Sequence, residues 1–326
     1  MDLYDKIFLI KNFFLKKKIS VSYETLNLLV NRCNGNRGYL KNELEKIIPI
    51  DLKKIKLNQS KYSFLTNEKG GIYDDLIVTK VEKGFNIILN AACKNNDFKI
   101  ISGSLKNKFK ITLHKNLSLI ALQGPKSSQI LEKIISGVSS LKFMNGNKFS
   151  YNSRDVYITR SGYTGEDGFE IMFNNSKVDE ILNYIVSNEI KPCGLGSRDT
   201  LRLEASLPLY GFELTEEISP VEANLKWVIT NEDDYLGKDV LDNELNSNNH
   251  KALKKFIINS KNIARTGTKV KNNNINGVVS SGNYSPILEK SIGFALFDSS
   301  PESDLLEFDI RGNFIEGNII NKRFLS

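Results

Sequence analysis

The residues most suggestive of chemistry lie in the sequence GYTGEDGFE at positions 162–170. Three glycines within seven positions allow the backbone to approach a ligand closely, and a phenol (Tyr163) and three carboxylates (Glu166, Asp167 and Glu170) surround them. An ordinary acidic hairpin loop has a similar composition, because glycine and acidic residues are common in turns. Composition alone favours the ordinary loop and leaves the ligand site open.

A second segment, GLGSRDTLRLE at positions 194–204, begins like a dinucleotide-binding fingerprint. Asp199 stands where that fingerprint needs its third glycine, and an anionic side chain at a helix start repels a pyrophosphate, so this reading is rejected. Arg198 and Arg202 are one helical turn apart and share a face. A guanidinium there could fork to a substrate carboxylate, or it could pair with Asp199 or Glu204.

The third segment, GGIYDDLIV at positions 70–78, places two adjacent carboxylates at the entry to a strand. Adjacent strand residues point to opposite faces, so one of Asp74 and Asp75 can enter a pocket while the other does not. Both could instead cap the preceding Gly-Gly turn. Asn90 closes the neighbouring strand, and its amide could supply a donor and an acceptor to a heterocycle or could satisfy loop backbone.

Several common catalytic arrangements are missing from the sequence. It contains no G-x-S-x-G, G-x-x-x-x-G-K-[ST] or H-E-x-x-H motif. His114 and His250 are too few for a typical metal cluster, so we expect no metal site. Three widely spaced cysteines, an odd number, argue against a disulfide framework and favour a reducing, cytoplasmic location.

Length and composition indicate the number of domains and exclude some classes of protein. With 326 residues, 40% hydrophobic, the chain can form about two domains with packed cores. Its apolar runs are too short for a membrane span. The net charge of +7 falls mainly at the two ends: residues 1–50 carry 9 basic and 5 acidic side chains, residues 51–250 carry 25 and 26, and residues 251–326 carry 11 and 7. The middle is nearly neutral, which makes nucleic acid an unlikely partner.

Hydrophobic periodicity predicts the elements that must position these residues. Residues 1–46 have apolar positions at three- and four-residue steps and are predicted to be helical, with the last helix at 40–48. Strands are predicted at 76–78, 85–89, 119–122, 156–159 and 169–173, and helices at 127–135, 178–186 and 197–206. Short segments separated by Gly and Asn turns beyond residue 250 predict a separate β-barrel or sandwich. The fold class is therefore α+β with an all-β C-terminal part.

These segments occur in one order together with others of distinctive sequence. The set comprises YS (62–63), NEKGGI (67–72), NAA (90–92), ALQGP (121–125), LPLYG (207–211), ISP (218–220) and SGNYSP (281–286). In combination with the three segments above, this set resembles the aminomethyltransferase, or T protein, of the glycine cleavage system. The resemblance runs from about residue 45 to the C-terminus.

The resemblance implies a folate-binding body at 47–250, lacking part of the family's N-terminal portion, and a C-terminal β-barrel domain at 251–326. It implies transfer of a one-carbon unit from the aminomethylated, lipoylated H protein to tetrahydrofolate, which gives 5,10-methylenetetrahydrofolate, ammonia and the dihydrolipoyl H protein. In that family's pattern Asp75 is the catalytic carboxylate. Tyr62, Asn90, Tyr163, Glu170 and Arg198 bind the folate, with Glu170 on the amino-pyrimidine edge of the pterin and Arg198 near the glutamyl carboxylate.

Residues 1–46 do not resemble this family. Residues 34–47 are weakly similar to a helical segment of the delta subunit of the bacterial clamp loader, which predicts a helical segment foreign to the family. A real fusion and a mis-joined reading frame both remain open for it. The alternatives for the body are a related folate-dependent demethylase and a non-catalytic folate-binding protein of the same fold, and a DNA-replication interaction module in residues 1–46 is a further alternative.

Overall fold

The computed structural model describes residues 8–10, 26–31, 37–105, 110–152, 154–187, 190–247 and 249–325, with side chains from residue 40 onward except those of 185–187. The chain divides into two compact units. The first comprises Met1–Lys46, Asp51–Ser63 and Leu76–Arg198, and the second comprises Ile47–Ile50, Phe64–Asp75 and Asp199–Ser326. Each unit is described below by itself.

The strands and helices follow one another in chain order. They are β1 Phe8–Ile10, β2 Leu26–Asn31, α1 Arg37–Glu45, β3 Ser60–Thr66, β4 Ile72–Val81, β5 Gly84–Leu89, α2 Lys94–Ser104, β6 Lys110–Leu113, β7 Leu117–Gln123, α3 Ser127–Glu132, β8 Gly146–Tyr151, β9 Arg154–Thr159, β10 Gly168–Asn174, α4 Val178–Ser187, α5 Leu195–Glu204, α6 Lys238–Leu245, β11 Ala252–Ile258, β12 Lys269–Asn272, β13 Ile275–Ser285, β14 Lys290–Phe297, β15 Leu305–Ile310 and β16 Asn313–Ile319.

One antiparallel sheet of the first unit has the strand order β1-β7-β10-β9-β8. Phe169, Ile171 and Phe173 alternate along β10 and are buried with the apolar side chains of β7 and β9. Because the side-chain period of a strand is two residues, Glu170 lies on the other face of β10. Glu170 is directly opposite Ala121 of β7 and Thr159 of β9.

The other sheet has the order β3-β4-β5-β2-β6. Its β4–β5 hairpin pairs Leu76 with Leu89 at one end and Val81 with Gly84 at the other. Buried and partly exposed residues alternate along both strands, as expected for a sheet with one covered face. The prediction of two strands around a turn at 82–84 is confirmed.

The second unit contains a closed barrel with the strand order β11-β14-β13-β12-β15-β16. Its interior is filled by large apolar side chains, among them Phe256 and Phe308, whose ring centroids are 4.6 Å apart. Closure satisfies the backbone donors and acceptors that an open sheet would leave at its edges. The prediction of a C-terminal all-β part is confirmed, and it is a barrel.

The N-terminal segment corrects the prediction of helices throughout residues 1–46. Phe8–Ile10 is a strand beside β7, and Leu26–Asn31 is a strand between β5 and β6, so the helical prediction was wrong for these residues. Short apolar runs fit either period, and long-range pairing decided between them. The helix predicted at 40–48 is confirmed by α1, which begins at Arg37 and ends at Glu45. The remaining residues of 1–36 lie outside the described part of the chain.

Across the residues that the structure describes, no helix combines the length and the apolar character that crossing a membrane requires.

Candidate functional site

The segment between β9 and β10, residues 160–167, is the centre of the candidate site in the first unit. Gln123, fully buried at the end of β7, links its two sides: the amide nitrogen donates to the carbonyl oxygens of Ser161 (3.0 Å) and Phe169 (3.4 Å). A Cβ on Gly162 would lie 1.8 Å from the Gln123 Oε1 atom, and one on Gly168 would lie 2.4 Å from its amide carbon. Gly162 and Gly168 must therefore be glycines, because the Gln123 side chain leaves no room for a Cβ atom at either position.

An ion pair braces the same segment from its ends. Arg160 donates two hydrogen bonds to the carboxylate of Asp167, at 2.8 and 2.7 Å, and one to the carbonyl oxygen of Leu141 at 2.8 Å. The bidentate bond raises the pKa of Arg160. The backbone carbonyl of Asp167 also accepts from Gly124 N at 2.7 Å. Asp167 is therefore a structural residue, and the loop has a fixed conformation.

Glu170 of β10 is a carboxylate in contact with this loop. Its Oε2 atom accepts a hydrogen bond of 2.5 Å from Ser161 Oγ. Burial raises the pKa of Glu170, while the Ser161 hydroxyl and the positive charge of Arg198 act in the opposite direction. A carboxylate held in a partly desolvated place with a raised pKa is more typical of a functional site than of a solvated surface.

Tyr163 and Arg198 come together in the same unit. The guanidinium carbon of Arg198 lies 4.6 Å from the centroid of the Tyr163 ring. This distance is within the range of a cation–π contact. Because the charge of Arg198 also acts on Glu170, Tyr163, Glu170 and Arg198 lie near one another in this unit. Their role in folate binding stays a prediction.

Asp74 and Asp75 differ in burial as adjacent strand residues should. Asp74 is fully buried and Asp75 is partly exposed. The Gly-Gly turn before them is capped by Asn67 instead, whose Oδ1 atom accepts from Gly71 N at 2.9 Å and whose amide nitrogen donates to the carbonyl oxygen of Glu216 at 2.9 Å. The capping alternative for the two carboxylates is therefore not needed.

Tyr62 lies in β3, and Asn90 directly follows β5, a strand of the same sheet. Tyr62 is partly exposed. Asn90 directly follows Leu89, whose backbone partner on β4 is Leu76, the residue after Asp75. Tyr62 and Asn90 are both residues of the first unit, whereas Asp75 is the last residue of the Phe64–Asp75 segment of the second unit.

Comparison with known proteins identifies the chain's relatives. A family model described as the GCVT N-terminal domain matches residues 40–233, and one described as the glycine cleavage T-protein C-terminal barrel domain matches residues 251–325. Aminomethyltransferases of Pseudothermotoga lettingae and Thermoanaerobacter pseudethanolicus are each 36% identical to the chain, over 86% and 87% of its length and 80% of their own.

The chain belongs to the glycine cleavage T-protein family.

A solved structure of another T protein agrees with this assignment. The crystal structure of the glycine cleavage system aminomethyltransferase T from Bartonella henselae has a TM-score of 0.82 and 28% sequence identity, and the match covers 92% of this chain and 84% of that one. The predicted resemblance and fold class are confirmed, whereas the similarity of residues 34–47 to a clamp-loader subunit stays a prediction.

Arg202 has a structural role in this T-protein chain. In the second unit it donates to Asp199 Oδ1 (2.8 Å), Glu213 Oε2 (2.9 Å) and Ser281 Oγ (2.8 Å). Of the two ion pairs predicted for this arginine pair, with Asp199 or with Glu204, the one with Asp199 is found. Glu204 instead accepts from Ser285 Oγ at 2.6 Å.

Two residues that shape the site were not predicted from the sequence. Ser161 has no signal beyond its nearness to the glycine loop, and Gln123 stands in the ALQGP segment without a role of its own. Among the described residues, no group of three or more His, Cys, Asp or Glu side chains is placed to hold a metal ion.

Proposed function

We propose that this chain catalyses the aminomethyl transfer of the glycine cleavage system through Asp75, Tyr62, Asn90, Tyr163, Glu170 and Arg198. Its family makes it a transferase with tetrahydrofolate as co-substrate. The reaction takes aminomethyl-dihydrolipoyl H protein and tetrahydrofolate to 5,10-methylenetetrahydrofolate, ammonia and dihydrolipoyl H protein. The lipoylated H protein is thus the proposed protein partner.

The observation that carries this proposal is the Glu170 carboxylate beside the braced loop. A carboxylate has about four lone-pair positions, and the Ser161 hydroxyl uses one of them. The amino-pyrimidine edge of a pterin presents two adjacent N–H donors, which match the two oxygens of a carboxylate. An ionised Glu170 would therefore hold and orient the pterin by charge-assisted hydrogen bonds.

Tyr163 and Arg198 fit the remainder of a folate. The stacked pair offers an aromatic face and a cation within one unit. A guanidinium recognises a carboxylate through two parallel hydrogen bonds, so Arg198 suits the glutamyl carboxylate of the co-substrate. Tyr62 and Asn90, both partly exposed, would line the pocket and assist Glu170.

Asp75 is the proposed catalytic group. A carboxylate can stabilise positive charge as it develops on the reacting nitrogens and can orient the amine for attack. The partial exposure of Asp75 is compatible with this role, since a catalytic carboxylate has to meet its substrate, whereas the buried Asp74 is suited to a structural role. The widely spaced cysteines favour a reducing compartment, and we place the reaction in the cytoplasm.

The decisive experiment compares Asp75→Asn with Asp74→Asn. Turnover is measured as tetrahydrofolate-dependent ammonia release from aminomethylated H protein, and folate binding is measured by calorimetric titration. We expect Asp75→Asn to lower kcat by at least about 100-fold with folate affinity nearly unchanged, because the electrostatic contribution of such a group is of that order. Asp74→Asn should alter the free energy of unfolding without separating turnover from binding.

Wild-type turnover in Asp75→Asn would remove Asp75 from the mechanism. If the unaltered chain binds folate and does not turn over, it is a non-catalytic folate-binding protein of this fold. Turnover with a small methylated amine in place of the H protein would instead identify a demethylase.

A further inference from the structure

The hydroxyl of Ser161 is hydrogen-bonded to the proposed pterin-binding carboxylate. Ser161 Oγ donates to Glu170 Oε2 at 2.5 Å and is itself 2.7 Å from Thr159 Oγ1. A serine hydroxyl has one proton, and that of Ser161 is used in the hydrogen bond to the carboxylate. The Thr159 hydroxyl must therefore be the donor of the second bond. Thr159, Ser161 and Glu170 therefore form a directed chain of hydrogen bonds that ends on the carboxylate.

The two hydroxyl residues of this hydrogen-bond chain are buried and tied to the surrounding structure. Thr159 and Ser161 are 1% and 3% exposed, and the carbonyl oxygen of Ser161 accepts from the amide of Gln123. Thr159 is also the direct cross-strand partner of Glu170. Both hydroxyls are thus held by the strand register and by Gln123, independently of any ligand.

We propose that Ser161, supported by Thr159, is a positioning residue that holds Glu170 ionised and oriented for the pterin. The inference rests on the proposed function of Glu170. A carboxylate that accepts a fixed hydrogen bond has a preferred rotamer, and hydrogen bonds in series strengthen one another in a low-dielectric environment. The hydroxyl therefore aims the carboxylate and stabilises its charged form, which is the form that accepts N–H donors.

Ser161 and Arg198 are the two groups that favour the ionised form of Glu170. On the neighbouring strands its direct partners are Ala121 and Thr159, neither of which can be charged. Burial raises the pKa of Glu170, and two groups act against it: the Ser161 hydroxyl and, from α5, the charge of Arg198. Since Arg198 is proposed to bind the folate as well, Ser161 is the partner that acts on Glu170 alone.

The test is the pH profile of folate affinity for four variants of the full chain. Tetrahydrofolate binding is titrated by calorimetry from about pH 5 to pH 9. In the wild type, affinity should fall as Glu170 becomes protonated at low pH. In Ser161→Ala the fall should begin at higher pH, and affinity should be about ten-fold weaker, which corresponds to one hydrogen bond to a charged group.

Three further variants make the result specific. Ser161→Thr returns a hydroxyl to the same Cβ and should restore the wild-type profile. Ser118 lies on β7, three residues from Ala121, the strand partner of Glu170, and its hydroxyl donates to Asn175. Ser118→Ala removes this hydroxyl and should leave the profile unchanged. Glu170→Gln should bind weakly at every pH, with this pH dependence gone.

The outcomes separate the inference from the proposed function. If Ser161→Ala keeps the wild-type profile while Glu170→Gln loses affinity, Ser161 does not position Glu170 and the folate role of Glu170 stands. If Ser161→Ala shifts the profile and Ser161→Thr fails to restore it, the hydroxyl is not the cause and the inference is also overturned. Wild-type affinity in Glu170→Gln would overturn the pterin-binding role itself.

Discussion

Arg198 and Arg202, four residues apart on α5, differ in burial and in their hydrogen-bond partners. Arg202 is 1% exposed, and its guanidinium donates four hydrogen bonds within the second unit, to Asp199, Leu207, Glu213 and Ser281. Arg198, partly exposed, has its guanidinium carbon 4.6 Å from the centroid of the Tyr163 ring in the first unit. A guanidinium has five N–H donors, so Arg202 is nearly saturated by the protein, whereas Arg198 is the arginine that we propose binds a ligand.

The difference follows from the cost of burying charge. A cation removed from water must be paired and fully hydrogen-bonded, and the carboxylate of Glu213, which is 0% exposed, meets that requirement. Glu213 is in turn satisfied by Leu209 N and Ser280 Oγ, at 3.0 and 2.5 Å. We call Arg202, Glu213 and their hydrogen-bond partners the closed network, because the protein itself satisfies both charges. We call Arg198, Tyr163 and the glycine loop the open region.

The largest expected effect is a loss of stability when Arg202 is removed from the closed network. Arg202→Met leaves Glu213 as a buried charge without its main partner and should lower the free energy of unfolding by about 3–5 kcal/mol, measured by urea denaturation. Lys238→Met removes a more exposed pair with Asp242 and should change it by less than about 1 kcal/mol. Equal losses in the two variants would contradict the contrast between buried and exposed pairs.

A glycine replacement tests how tightly the loop of the open region is held. In Gly162→Ala the new Cβ would meet the Gln123 side chain at 1.8 Å, and overpacking of this kind should cost about 1–3 kcal/mol of stability and weaken folate binding. Gly196→Ala on α5 meets no atom within 4 Å and should be neutral or slightly stabilising. The measurement is thermal and urea unfolding combined with folate titration, and a stable Gly162→Ala that binds folate normally would show that Gln123 can move aside.

Arg198→Ala tests the open region without disturbing the closed one. Loss of a guanidinium–carboxylate contact should weaken tetrahydrofolate binding about ten-fold, while the free energy of unfolding changes by less than about 1 kcal/mol, because a stacked, partly exposed arginine stabilises the fold weakly. Calorimetric titration and urea denaturation measure the two quantities. A loss of stability as large as that of Arg202→Met would show that the two arginines are equivalent.

The smallest effect is a pH dependence of stability in the unliganded chain. Burial raises the pKa of Glu170 above its ordinary value of 4.5, so the folded state keeps this proton at a pH where the unfolded state has lost it. The resulting stabilisation is present at low pH and is lost as the pH rises above 4.5 through the folded-state pKa. Glu170→Gln should therefore lack this loss and be slightly more stable than the wild type at neutral pH in urea denaturation, and the opposite sign would contradict a raised pKa.

Much of the local structure was predictable because its causes are local. The β4–β5 hairpin, the strands beside the glycine loop and the approximate position of α5 follow from alternation and from turn residues. The strands Phe8–Ile10 and Leu26–Asn31 were not predictable, because they form against strands such as β7 and β5 that lie far along the chain. The sequence-based boundaries at 46/47 and 250/251 remain predictions about family resemblance.

The candidate site was predictable in part for the same reason. Glu170, Tyr163 and Arg198 were found from their segments, and the structure brings them together. Ser161 and Gln123 could not be assigned, because an isolated serine or glutamine has many possible roles until its hydrogen-bond partner is known.

The sequence by itself determined the family, the adjacent carboxylates on β4 and the pair of arginines on one helical face. It could not determine which arginine is available to a ligand, since helical spacing gives both the same local surroundings. Tertiary structure decided this by bringing Ser281, 79 residues along the chain, and the buried Glu213 to Arg202, and by bringing Tyr163 to Arg198. The physical reason is that a buried charge is satisfied by whichever partners the fold delivers, and those partners come from distant parts of the chain.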